Sequence, residues 1–74
     1  MSPLAEGLRS AREAAGLSRE QVAIHIGRSW QAVRGYERGM WTPPLDRLQA
    51  LAALYGVTLD DLVNGKPGVS PDAA

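Results

Sequence analysis

Apolar positions recur at helical spacing in five separate stretches of the chain. Leu4, Leu8, Ala11 and Ala15 fall at i, i+4, i+7 and i+11, one stripe of a helix that Ser2 and Pro3 start and Gly16 ends. Leu17 then enters the core. Ser18, with Gln21 three residues on, makes a capping box, after which Val22, Ala23 and Ile26 share a face and Gly27 stops the helix. Ser29 caps a further helix whose inward residues are Val33 and Tyr36 and which Gly39 closes. Pro43 and Pro44 forbid a helix through the segment after Met40, Trp41 and Thr42. The next helix begins near Pro44 or Leu45, with Asp46 at its positive end. Leu45, Leu48, Leu51, Ala52 and Tyr55 form its buried face, Leu54 points away from that face, and Gly56 ends it. Thr58 and Asp61 cap a last helix carrying Leu59, Leu62 and Val63, stopped by Asn64 and Gly65.

The pattern predicts an all-α fold, a compact five-helix domain over residues 1–65 followed by a flexible tail over residues 66–74. Lys66, Pro67, Gly68 and Pro71 give that tail too little apolar content to pack. The second and third helices are short and separated by about three residues, so they must cross steeply rather than lie side by side. That is a helix-turn-helix, whose second helix is shaped for a major groove. By register, Ser29, Trp30, Gln31, Arg34 and Gly35 make the outward face of that second helix.

Composition narrows the function. Seventy-four residues leave room for one small core, and the absence of cysteine removes disulfide and thiolate-zinc staples. No apolar run approaches the roughly 20 residues of a membrane span, and residues 1–3 lack the pattern of a signal peptide, so a cytoplasmic, nucleoid-associated protein is expected. One histidine, His25, and carboxylates scattered at helix caps provide no nucleophile and base and no metal cluster. The expectation is a non-enzyme with no catalytic residues, no cofactor, no metal and no small-molecule ligand. Net charge is zero, yet residues 19–47 hold Arg19, Arg28, Arg34, Arg38 and Arg47 against Glu20, Glu37 and Asp46. Positive charge gathers on the helix-turn-helix, all of it arginine, the better fork for phosphate and guanine.

Leu17, Ser18, Ala23, Gly27, Val33, the run Tyr36-Glu37-Arg38-Gly39, Pro43, Leu48, Leu51, Ala52, Gly56 and Val57 together resemble the phage Cro and cI repressor family, the XRE type, over about residues 4–65. The resemblance implies a five-helix domain of phage or bacterial origin that binds operator DNA, usually as a symmetric dimer. It also implies an ion pair between Arg12 and Glu37, which would make Glu37 structural, and a phosphate clamp at Arg19. Gly35 departs from the family, which often carries a long base-reading side chain there; its loss either removes one contact or lets the helix sit closer to the groove floor.

Gln31 paired with adenine and Arg34 paired with guanine are the expected base readers, joined by Trp30. Trp30 either packs on thymine methyls and sugar edges or folds back over the domain. Arg19, Arg28, Ser29 and Arg38 are the phosphate candidates. Trp41 either packs over the core or is presented to a partner. Leu54, Leu59, Val63 and Pro44 are the candidate dimer interface. Two functions from different classes follow: a DNA-binding transcriptional regulator, most simply a homodimeric repressor on a palindromic operator, or a protein-binding module using Trp30, Met40 and Trp41.

Overall fold

The computed structural model of the chain describes residues 3–64. Among them are five helices and no strand: α1 (Pro3–Ala14), α2 (Arg19–Ile26), α3 (Trp30–Glu37), α4 (Leu45–Tyr55) and α5 (Leu59–Asn64). The expected Ser2 cap, the Gly65 stop and the tail over 66–74 lie outside the described residues.

Helices as short as α2 and α3 are marginal alone, so their ends must be secured. The Gln21 amide donates to Ser18 Oγ at 3.1 Å and the Ser18 amide donates to Gln21 Oε1 at 2.8 Å, a complete capping box. At α3 the Ala32 amide donates to Ser29 Oγ at 3.3 Å. Gly27, at φ 69°, turns the chain so that its own amide and that of Arg28 reach back to the carbonyls of Ile24 and Ala23. An L side chain in that conformation costs about 1–2 kcal/mol, so glycine makes the sharp turn possible. At α5 the Asp61 amide donates to Thr58 Oγ1 at 3.0 Å.

The inward faces meet in one core built on Leu8, Val22, Val33, Leu48, Leu51 and Leu62, with Ala11, Ala23, Ala52, Tyr36 and Tyr55 between them. α1 packs chiefly against α5 and α3, and α2 against α3, which sets the two helices of the turn motif across one another. Two faces differ from the pattern read in sequence. On α1 the buried residues are Ala5, Gly7, Leu8, Ala11 and Arg12, a face broader than the single stripe because Arg12 is held inward by its ionic partner, while Ala15 lies past the helix end and is exposed. On α4 Leu45 is 63% exposed in the first turn, outside the core face it was expected to join. Leu54, expected to point away, is half-buried against the core, as is Leu59. Crossing helices cover a wider arc than one stripe, so residues at the flank of a face are covered too.

Arg12 pairs with Glu37. Its Nε donates to Glu37 Oε2 at 2.7 Å, a second guanidinium nitrogen reaches Oε1 at 3.3 Å, and a third donates to the Leu17 carbonyl at 2.8 Å. Arg19 Nε donates to Glu37 Oε1 at 3.1 Å, so one carboxylate joins α1, the start of α2 and the end of α3. The Glu37 side chain is 2% exposed. Burial opposes the Arg12 charge, but the hydrogen bond and attraction of Glu37, with Glu13 and Tyr55 adding, outweigh it and leave the guanidinium pKa raised.

The segment after α3 folds back onto it. Gly39, at φ 74°, reverses the chain, and the amides of Met40 and Trp41 both donate to the Gly35 carbonyl, at 2.9 and 3.4 Å. The six-membered ring of Trp41 then lies where a Cβ on residue 35 would stand. Gly35 is therefore buried, although its register placed it on the outward face. Trp41 packs on α3 rather than over the core.

Glu37→Ala leaves Arg12 buried without its partner and is expected to lower unfolding free energy by about 3–5 kcal/mol in denaturant titrations. Gly35→Ala adds helix propensity of about 1 kcal/mol but evicts the Trp41 ring, so it is expected to destabilise the parent and to stabilise a Trp41→Ala background; thermal melts of the four proteins show whether the sign reverses. Burial, with Glu37 reinforcing and Arg12 opposing, raises the Tyr55 phenol above its usual value near 10. The folded state holds that proton after the unfolded chain has released it, so stability is full below pH 10 and falls as pH rises beyond it. Tyr55→Phe is expected to flatten this alkaline decline in pH-resolved urea titrations.

Candidate nucleic-acid interface

α3 presents a narrow bare arc. Trp30, Gln31 and Arg34 lie within about 100° of one another around the axis and are exposed, with Trp30 at 41%. Val33 and Tyr36 hold the opposite side in the core. The arc is bounded on one flank by Gly35 under Trp41 and on the other by the buried Glu37. Such a rod, anchored behind and bare in front, is what insertion into a groove of about 12 Å width requires.

Beside the arc is a groove of about 340 Å³ lined by Gln31, Arg34, Gly35, Arg38, Met40 and Trp41. A second cleft of about 240 Å³ is lined by Arg9, Arg19 and Arg38 with Glu6 and Glu37. The two clefts meet at Arg38, which follows the last residue of α3 and is exposed. Arg28 and Ser29 are exposed in the turn between α2 and α3, with the Arg28 amide already donated to Ala23. Arg19 is half-buried with its Nε engaged by Glu37, so the position expected to be a simple surface clamp is also a structural pair. Arg47 is turned inward, its Nη1 donating to the Tyr36 hydroxyl at 3.1 Å, which secures α4 against the inner side of α3.

Sequence reasoning missed two features of this surface. Arg9 reads as an ordinary charge on α1, yet it shares a cleft with Arg19 and Arg38. The packing of Trp41 on Gly35 had a signal, a helix-interior glycine with a tryptophan six residues later, but the pairing depends on the reversal at Gly39. Of the residues expected to dimerise, Val63 is 50% exposed and Pro44 is exposed as the N-cap of α4, while Leu54 and Leu59 are partly consumed by the core. His25 is exposed on α2. Among the described residues no helix is long and apolar enough to cross a membrane, and no group of three or more His, Cys, Asp or Glu is placed to hold a metal ion.

Residues 3–73 match the helix-turn-helix domain family model. The chain is similar to the uncharacterised HTH-type transcriptional regulator YobD of Bacillus subtilis, 45% identical over 53 residues covering 72% of this chain and 47% of that protein. It is similar to the HTH-type transcriptional regulator DdrOP3 of Deinococcus deserti, 39% identical over 62 residues, 84% of this chain and 48% of that one. It is also similar to the cryptic phage CTXphi transcriptional repressor RstR of Vibrio cholerae, 35% identical over 57 residues, 77% of this chain and 51% of that one. The chain thus spans about half the length of these curated relatives. With its capped α2 and α3, its steep turn at Gly27 and its matched residues, the chain belongs to the helix-turn-helix domain family, of the Cro and cI (XRE) type.

Proposed function

We propose that this chain is the DNA-reading unit of a cytoplasmic transcriptional regulator and that it reads a specific duplex sequence with α3 in the major groove. The bare arc of Trp30, Gln31 and Arg34 on a helix anchored by Val33 and Tyr36 is the observation that carries the reading. Gln31 offers a donor and an acceptor to adenine N7 and N6, and Arg34 offers two donors to guanine O6 and N7. Trp30 contributes an apolar surface at the start of the arc. Arg28, Ser29 and Arg38 at the ends of α3, with Arg19 at the start of α2, hold phosphates and so fix the register of α3 on the duplex. Glu37, neutralised by two arginines, adds little repulsion. The chemistry is binding alone, with neither cofactor nor catalysis.

Repression as a homodimer on a palindromic operator is the simplest regulatory form. A relative named as a phage transcriptional repressor supports repression. Two copies of a domain this small would place their α3 helices about 34 Å apart, one turn of the duplex. Val63, Pro44 and the uncovered parts of Leu54 and Leu59 remain the candidate interface, with exposed Leu45 beside Pro44 enlarging it.

The competing reading is a protein-binding module on the same fold, favoured by the exposure of Met40 at 64% and Trp41 at 53%. Selection of bound duplexes from a random pool, followed by binding titrations over salt, separates the two. A DNA reader recovers an enriched palindrome, and its log affinity falls with log salt by about 0.9 per phosphate neutralised. Arg34→Ala is expected to cost about 1–3 kcal/mol and to relax preference at one position of each half-site. Arg28→Ala is expected to weaken all duplexes alike and to lower the salt slope by about one; it is a cleaner probe than Arg19, which also supports Glu37. Equal losses on selected and random duplexes for both variants would remove the assignment.

A further inference from the structure

We propose that Trp41 is itself a base-reading side chain, delivered to the flank of α3 from the loop behind it in place of the side chain that Gly35 lacks, and that it reads the C5-methyl of a thymine. The inference rests on the DNA-reading function proposed above.

Three observations lead to it. The indole ring fills the position that any side chain at residue 35 would leave from, on the edge of the Gln31 and Arg34 arc. Its backbone is held there by the two amides donated to the Gly35 carbonyl, and downstream by buried Pro43 and the α4 cap Pro44. Even so, 53% of Trp41 is exposed, and it walls the same groove as Gln31 and Arg34. A large ring fixed in this way and left half bare loses little conformational freedom when it meets a ligand.

The chemistry selects what it meets. An indole offers a broad apolar surface and one donor, with no acceptor. Among the groups that base pairs present in the major groove, the thymine methyl is the one apolar feature. Gln31 and Arg34 supply the hydrogen bonds that Trp41 cannot, so polar and apolar readers stand side by side on adjacent base pairs.

Uracil keeps every hydrogen-bonding group of thymine and lacks only the methyl. The full chain is titrated against a duplex recovered from the random pool and against versions in which each thymine in turn is uracil. At one thymine per half-site, uracil is expected to weaken the parent about fourfold, the worth of one buried methyl. Trp41→Ala is expected to bind the thymine and uracil forms equally at that position while keeping the guanine preference assigned to Arg34. Trp41→Phe, which retains an aromatic ring, guards against loss of folding and is expected to keep part of the discrimination. Equal binding of thymine and uracil by the parent, or discrimination that survives in Trp41→Ala, overturns the assignment while leaving the DNA-reading function standing. A pool with no enriched sequence and no salt dependence overturns that function and this inference together.

Discussion

The position of α3 depends on one buried carboxylate. Glu37 accepts from Arg12 on α1 and from Arg19 on α2, and it sits in the last turn of α3, at the edge of the bare arc. A side chain so enclosed tolerates its charge only because two guanidinium groups surround it. The arrangement is directional. Unlike apolar packing, which accepts small rotations, a paired fork and carboxylate fix how α1, α2 and α3 meet, and so fix which residues of α3 face outward.

The polar lock and the apolar core divide the work. Val22, Val33, Leu51 and Leu62 supply the burial that holds a small domain together, while the lock and the Arg47 to Tyr36 hydrogen bond set orientation on either side of α3. The caps at Ser18 and Ser29 finish helices too short to persist alone. Because α2 and α3 pack on one another across the turn at Gly27, the exposed end of α2 and the exposed arc of α3 belong to one packed unit.

Local chemistry made much of this legible in the chain itself. Capping boxes, left-handed glycines and the two prolines act within a few residues, so the five helices and the turn at Gly27 follow from near neighbours in sequence. The inward role of Val33 and Tyr36 follows from helical period alone. What escaped depends on how helices are set against each other. Leu45 and Leu54 exchange their expected exposures because a face's edge is decided by the neighbour that crosses it. The inward turn of Arg12 is legible only through the family resemblance, because its partner Glu37 is 25 residues away and helical period says nothing of it. Gly35 looks open on a helical wheel and is closed by a residue outside the helix.

That closure links the histories of two positions. A mutation giving residue 35 any side chain collides with the indole, and a mutation removing the indole bares a glycine that weakens the helix. Neither change is neutral by itself, so drift from this arrangement toward a helix with an ordinary side chain at 35 crosses a fitness valley unless both codons alter together. Descendants of this chain should therefore inherit glycine and tryptophan as a unit or replace them as one.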